Sequence, residues 1–167
     1  MSHQEHRAAS PTHIRCYVLT VSDTRTDEND TGGRLLRELL AGDGHEVLGH
    51  AIVPDEPATL RGAIEQQLDA EAVQAVITTG GTGISRRDGS YEVVSALFDK
   101  RIDGFGELFR TLSFEEIGPS AMLSRACAGT ARGKILISLP GSKNAVRLGM
   151  SRLVLPELGH LVREVTR

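Results

Sequence analysis

The run Ile14 to Val21 (IRCYVLTV) is almost unbroken in apolar and β-branched side chains. With no polar side to turn toward water, it reads as a strand covered on both faces, and such a strand needs helices above and below it. The following chain supplies them. After the polar loop SDTRTDENDTGG, Leu35, Leu36, Leu39 and Leu40 recur at helical spacing, and Gly42 and Gly44 supply the stop. His45 to Val53 reads as a second strand, closed by Pro54-Asp55-Glu56-Pro57, with Pro57 suited to the first turn of a helix carrying Leu60, Ile64 and Leu68. A third strand, Val73 to Thr78, runs into Gly80-Gly81-Thr82-Gly83. Strands and helices alternating over such short connections imply right-handed crossovers. The expected fold is three-layer α/β, a mostly parallel sheet with helices on both faces.

Further along, Ser90 to Lys100 and a segment after Asp103-Gly104 read as helices, and Lys134 to Leu139 as a buried strand stopped by Pro140-Gly141. Leu158, Leu161, Val162 and Val165 mark a C-terminal amphipathic helix that Pro156 kinks or restarts. Ile117 to Gly133 has no readable period. With 167 residues, a single domain over 14–167 is expected, preceded by a mobile tail over 1–13. The tail's histidines have no carboxylate or thiol neighbours in sequence to complete a metal site, and are expected to be solvated.

Charge and cysteine content narrow the function. The net charge is −3, and no basic cluster with interleaved aromatics offers a nucleic-acid footprint. Cys16 and Cys127 lie far apart without metal-ligand spacing, which fits a reducing compartment, and no apolar run has the length of a membrane span or the form of a signal peptide. A cytoplasmic protein is expected.

In an open parallel sheet, ligands sit beyond the carboxyl ends of the strands. That rule selects four loops, expected to border a single pocket: Ser22-Asp23, Asp55, Thr78-Thr79-Gly80-Gly81-Thr82-Gly83, and Pro140-Gly141-Ser142-Lys143-Asn144. Together they offer glycine N–H groups, hydroxyls and helix N-termini, which is what an anionic ligand needs. Each loop also has a plain structural reading. The glycines could only make a tight turn, Asp30 and Asp88 could be helix N-caps, Asp55 could complement a helix dipole, and Lys143-Asn144 could be an exposed helix start. Arg86 and Arg87 could be a solvated pair, with Arg87 bonded to Asp88. The GGTG run is neither a Walker sequence nor a dinucleotide fingerprint, and the first strand ends in SDTR without glycine, which counts against a dinucleotide fold.

Read in order, TVSDTRTDENDTGG, AIVPDEP, ITTGGTGISRRDG, DGFGELFRTLSFEEIGPSAMLSRACAG and LPGSKNAV resemble the MoaB/MogA family of molybdenum-cofactor biosynthesis proteins, on its MoaB branch, over residues 14–165. The resemblance implies a parallel α/β fold and MgATP-dependent adenylylation of molybdopterin with release of pyrophosphate. It implies that Asp55 and Asp88 are the acidic residues of the active site, holding Mg²⁺. Ser22, Asp23, Asp30, Gly32, Thr79, Gly80, Gly81, Thr82, Gly83, Pro140, Gly141, Ser142 and Asn144 would bind nucleotide and pterin. A downstream molybdenum-insertion protein would take the product. The other reading is a MoaB-type protein that holds molybdopterin without chemistry. Trimers or hexamers are also implied, and the stripe Phe105, Leu108, Phe109, Leu112 is wide enough for a core or for a subunit interface.

Overall fold

The apolar runs become the parallel part of one six-stranded sheet in the computed structural model, which describes residues 2–167. The strands are β1 (Arg15–Val21), β2 (Glu46–Val53), β3 (Ala75–Thr79), β4 (Lys100–Arg101), β5 (Cys127–Ala131) and β6 (Lys134–Leu139). Their order is β2-β1-β3-β6-β5-β4, with β2, β1, β3 and β6 parallel and β5 and β4 antiparallel at one edge. The helices are α1 (His3–Ala8), α2 (Thr31–Gly42), α3 (Pro57–Asp69), α4 (Ser90–Leu97), α5 (Asp103–Ile117), α6 (Lys143–Gly149) and α7 (Leu155–Val165).

Alternate side chains of the buried strands feed two cores. Cys16, Val18, Ala75, Ile77, Ile135 and Ile137 face α2, α5, α6 and α7, packing with Leu36, Phe109, Val146 and Leu158. On the other face, Leu19, Val21, Val76 and Leu136 meet Leu60, Ile64, Val93 and Val94 of α3 and α4. Full burial of each Val, Leu, Ile or Phe side chain among them contributes about 1.5–3 kcal/mol before conformational entropy is set against it. Because β1 lies between β2 and β3, the chain leaves β1 to one side and returns on the other. The carboxyl ends of β1 and β3 therefore flank the point where strand order reverses, where such sheets bind ligands.

Two stretches differ from the expectation. Residues 3–8, expected as part of a mobile tail, form α1, because Ser2 and Glu5 close a capping box and α7 offers a docking face. The aperiodic stretch before Gly133 holds a 3₁₀ turn over Gly118–Leu123 and β5, whose small residues Ala128 and Gly129 carry little strand signal. Arg132 and Gly133, at φ 50° and 76°, turn β5 back into β6 as a two-residue hairpin loop. Of the two expectations for Pro156, a kink or a restart, the structure shows the restart. A wide turn over Met150–Val154 joins α6 to α7, leaving Pro156 in the first turn of α7, where its missing N–H costs little.

Candidate active site at the carboxyl ends of the parallel strands

The turn after β3 depends on glycine. Gly80 sits at φ 105°, where a Cβ would meet the Val21 carbonyl oxygen at 2.3 Å, and its N–H donates to Leu139 O at 2.9 Å. The glycine loop is thereby seated between the ends of β1 and β6. Gly81, at φ 70°, leaves the space that the Asp55 carboxylate fills, since a Cβ there would lie 2.5 Å from Asp55 Oδ2. No hydrogen bond among the described residues uses the N–H groups of Gly81, Thr82 or Gly83. Three successive amides are thus free to donate to an anion.

Asp55 is buried beside this loop, and Gly89 N–H donates to its Oδ1 at 3.2 Å. Burial raises its pKa, the Gly89 amide opposes that, and the neighbouring carboxylates of Asp88 and Asp23 raise it further. Asp88 takes its hydrogen bonds on Oδ2, from Ser85 N–H at 2.9 Å and Ser85 Oγ at 2.6 Å. Asp23 forms a bidentate pair with Arg87, both contacts 2.9 Å, and accepts from Asp55 N–H at 3.0 Å. The hydrogen bond from Arg87 holds the Asp23 carboxyl below its usual range. Arg87 is bonded to Asp23, not to Asp88, so it ties the loop after β1 to the loop after β3. A hard divalent cation suits this donor set: burial first, and then the charges of Asp88 and Asp23, hold Asp55 against ionisation, and the adjacent amides would take the cation's phosphate partners.

The loops border two depressions and not the single pocket expected. The smaller, about 290 Å³, is lined by Ser22, Asp30, Thr79, Gly80, Gly141 and Ser142 among others. The larger, about 710 Å³, is edged by Asp88, Ser85, Arg86, Glu92, Arg61 and Arg125. The Asp23–Arg87 pair joins the loop edging one to the loop edging the other.

Several expected residues are committed to internal bonds. Asp30 caps α2 by accepting from Gly33 N–H at 3.0 Å, and it also accepts from Thr20 Oγ1 at 2.7 Å beside His50 Nε2 at 3.2 Å. Ser22 Oγ accepts from Thr24 and Arg25 N–H, Ser142 Oγ caps α6 through Ala145 N–H, and Thr79 Oγ1 donates to Pro140 O. Gly32 packs against the Gly141 carbonyl, and Thr82 is buried. Asn144 lies apart, lining another depression with Glu116 and Arg147. Lys143 is exposed at the start of α6.

Arg125 is the residue that periodicity could not reveal. Its guanidinium donates to Gly83 O from Nε at 3.0 Å and from Nη2 at 2.7 Å, and to Asp88 O at 3.1 Å. Its backbone N–H donates to Thr82 O, and its side chain pairs with Glu92. One side chain thus clamps both ends of the segment that presents Asp88. Ser90 adds a second brace by donating from Oγ to Gly80 O at 2.8 Å. The two cysteines are buried and unpaired, and burial raises their thiol pKa values to about 12 for Cys16 and about 11 for Cys127, so neither is a thiolate near neutral pH.

Comparison with known proteins converges on one family. Residues 17–160 match the family model described as "Probable molybdopterin binding domain". The molybdenum cofactor biosynthesis protein B of Bacillus cereus is 51% identical over 168 residues, spanning 100% of this chain and 99% of that protein. A crystal structure of a molybdenum cofactor biosynthesis protein B aligns with a TM-score of 0.90 at 52% identity, covering 93% of this chain and 98% of the other. A tungsten cofactor synthesizing protein MoaB from Pyrococcus furiosus aligns at 0.82 and 37%, covering 95% and 100%. The chain belongs to the MoaB/MogA family of molybdenum cofactor biosynthesis proteins.

Proposed function

We propose that this protein transfers the adenylyl group of ATP to the terminal phosphate of molybdopterin, releasing pyrophosphate. The observation that carries the reading is the juxtaposition of three unbonded amides, Gly81 to Gly83, with the Asp55 and Asp88 carboxylates at the sheet's switch point. The attacking group is a phosphate oxygen, ionised near neutral pH. It forms a bond to the α-phosphorus of ATP while the bond from that phosphorus to the bridging oxygen breaks. No proton must be removed, so neither aspartate is needed as a base. What remains is to hold two anions in line and offset their charge.

The chain's residues divide that work. The amides of Gly81, Thr82 and Gly83 donate to nucleotide phosphate, and Gly141 and Ser142 line the smaller depression with Thr79 and Gly80. Asp55 and Asp88 would hold Mg²⁺, which when bound offsets phosphate charge. Arg86 edges the larger depression and is free to meet an anion there. Arg125 is a positioning residue that fixes the backbone of Gly83 and Asp88. The adenylylated pterin would pass to a molybdenum-insertion protein.

Incubation with molybdopterin and MgATP, followed by chromatography of the pterin and a pyrophosphate assay, tests the proposal. Equal amounts of adenylylated pterin and pyrophosphate are expected. Tight pterin binding with neither product would establish the carrier reading instead.

A further inference from the structure

Two histidine-bearing helices meet at the end of the molecule opposite the candidate active site. Helix α1 carries His3 and His6, three residues apart, and α7 carries Glu157, His160 and Glu164 at i, i+3 and i+7, so each set shares one helical face. The two faces are brought together by long-range bonds. Arg7 Nη2 donates to Pro156 O at 2.9 Å, Arg163 Nη1 donates to His6 O at 2.9 Å, and glycine at 159 lets the Pro11 carbonyl approach where a Cβ would lie 2.0 Å away. The His3 and His160 rings consequently stand edge to face, with centroids 5.7 Å apart. One ligand atom from each of His3, Glu157 and His160 lies within 4.8 Å of the other two.

We propose that His3, Glu157 and His160 bind a divalent transition-metal ion of the zinc class, which fastens the N-terminal helix to the C-terminal one. Two imidazoles and a carboxylate suit zinc, which commonly takes three protein ligands with water in a further position. His160 Nδ1 lies 2.9 Å from Glu157 Oε2, so these two groups already converge, while His160 Nε2 faces Glu164 Oε1 at 3.8 Å. That second carboxylate is placed as the outer partner that orients a metal-bound histidine. His3 is exposed and the other two ligands are only partly buried, so the ion reaches them from solvent. The competing cations are weakly held. Arg7 contacts Glu157 at 3.5 Å with half of its side chain exposed, an ion pair of small worth that coordination would replace. Arg163 donates to His6 Nδ1 at 3.1 Å and Arg167 pairs with Glu164, so neither occupies Glu157 or His160.

The test uses the full-length chain without a histidine tag, stripped with chelator, and Zn²⁺ alone as the probe. Titration calorimetry is expected to show one Zn²⁺ per chain. Affinity should fall on the order of tenfold or more in His3→Ala and in His160→Ala, and remain unchanged in His13→Ala. His3 is exposed, so its variant leaves the fold intact. Hydrogen exchange over residues 3–8 should slow when Zn²⁺ is added. Absence of stoichiometric binding, or equal binding by the wild type and both variants, overturns the proposal. Neither pterin nor nucleotide enters this experiment, so its outcome is independent of the adenylyl-transfer reading.

Discussion

At the scale of single residues, Asp55 and Asp88 are expected to separate chemistry from stability. Asp55→Asn and Asp88→Asn should each lower adenylyl transfer on the order of a hundredfold or more in rate while the melting temperature stays within a few degrees. Unchanged turnover in either variant would return that aspartate to a structural role. Asp55 also predicts a pH effect with a definite sign. Its folded pKa lies above its unfolded value, so the folded state binds the proton more readily, and stability falls as pH rises between the two. Asp55→Asn removes that penalty and should melt no lower than wild type at neutral pH. Over the same interval cation binding should weaken as pH falls, because protons compete for the carboxylate; Mg²⁺ affinity measured against pH in both proteins checks this. Asp55 stood out in the sequence as a polar residue just beyond an apolar run, whereas Asp88, set among Ser85, Arg86 and Arg87, was singled out only by the family resemblance. Arg125 was not legible, since a guanidinium that bonds to carbonyls far along the chain leaves no period and no spacing.

At the scale of elements, the glycine loop and its clamp are expected to behave as one unit. Gly81→Ala places a Cβ against Asp55 Oδ2 and Ser90 Oγ at φ 70°. It should cost about 1–3 kcal/mol in chemical denaturation, with activity lost alongside. Arg125→Ala should instead quicken amide exchange over residues 83–88 and reduce kcat. Arg125→Lys should restore little, because one ammonium cannot reproduce a guanidinium that reaches both Gly83 O and Asp88 O. Exchange that stays slow in Arg125→Ala would show that the clamp does not hold the loop. The parallel strands were readable because burial on both faces demands continuous apolar runs. The antiparallel edge was not: β4 has two residues, and in β5 the small residues Ala128 and Gly129 fit beneath neighbours such as Phe98, against which a Cβ at Gly129 would lie 2.5 Å away. Helix α1 escaped for a different reason, because its capping box is local but its partner, α7, is about 150 residues distant.

At the scale of the whole molecule, the stripe on α5 divides. Phe105 and Phe109 are buried within the chain, whereas Leu108 is 56% exposed, and Phe114, Ile117, Met122 and Leu123 are exposed nearby. So many large apolar side chains on one helix and the turn after it are expected to meet a neighbouring copy in a closed ring. Light scattering at micromolar concentration should give a trimer or hexamer, and Phe114→Glu should shift the mass toward the monomer; a monomeric wild type would refute the assembly. Among the described residues, no helix is long and apolar enough to cross a membrane. Whether the crevice performs group transfer is tested most directly with ATP radiolabelled at the α-phosphorus, molybdopterin and Mg²⁺, comparing wild type with the Asp55→Asn/Asp88→Asn double variant. Label is expected to move to the pterin with wild type and to remain on nucleotide with the variant. Label that never leaves the nucleotide with wild type, or moves equally fast with both proteins, would contradict the account.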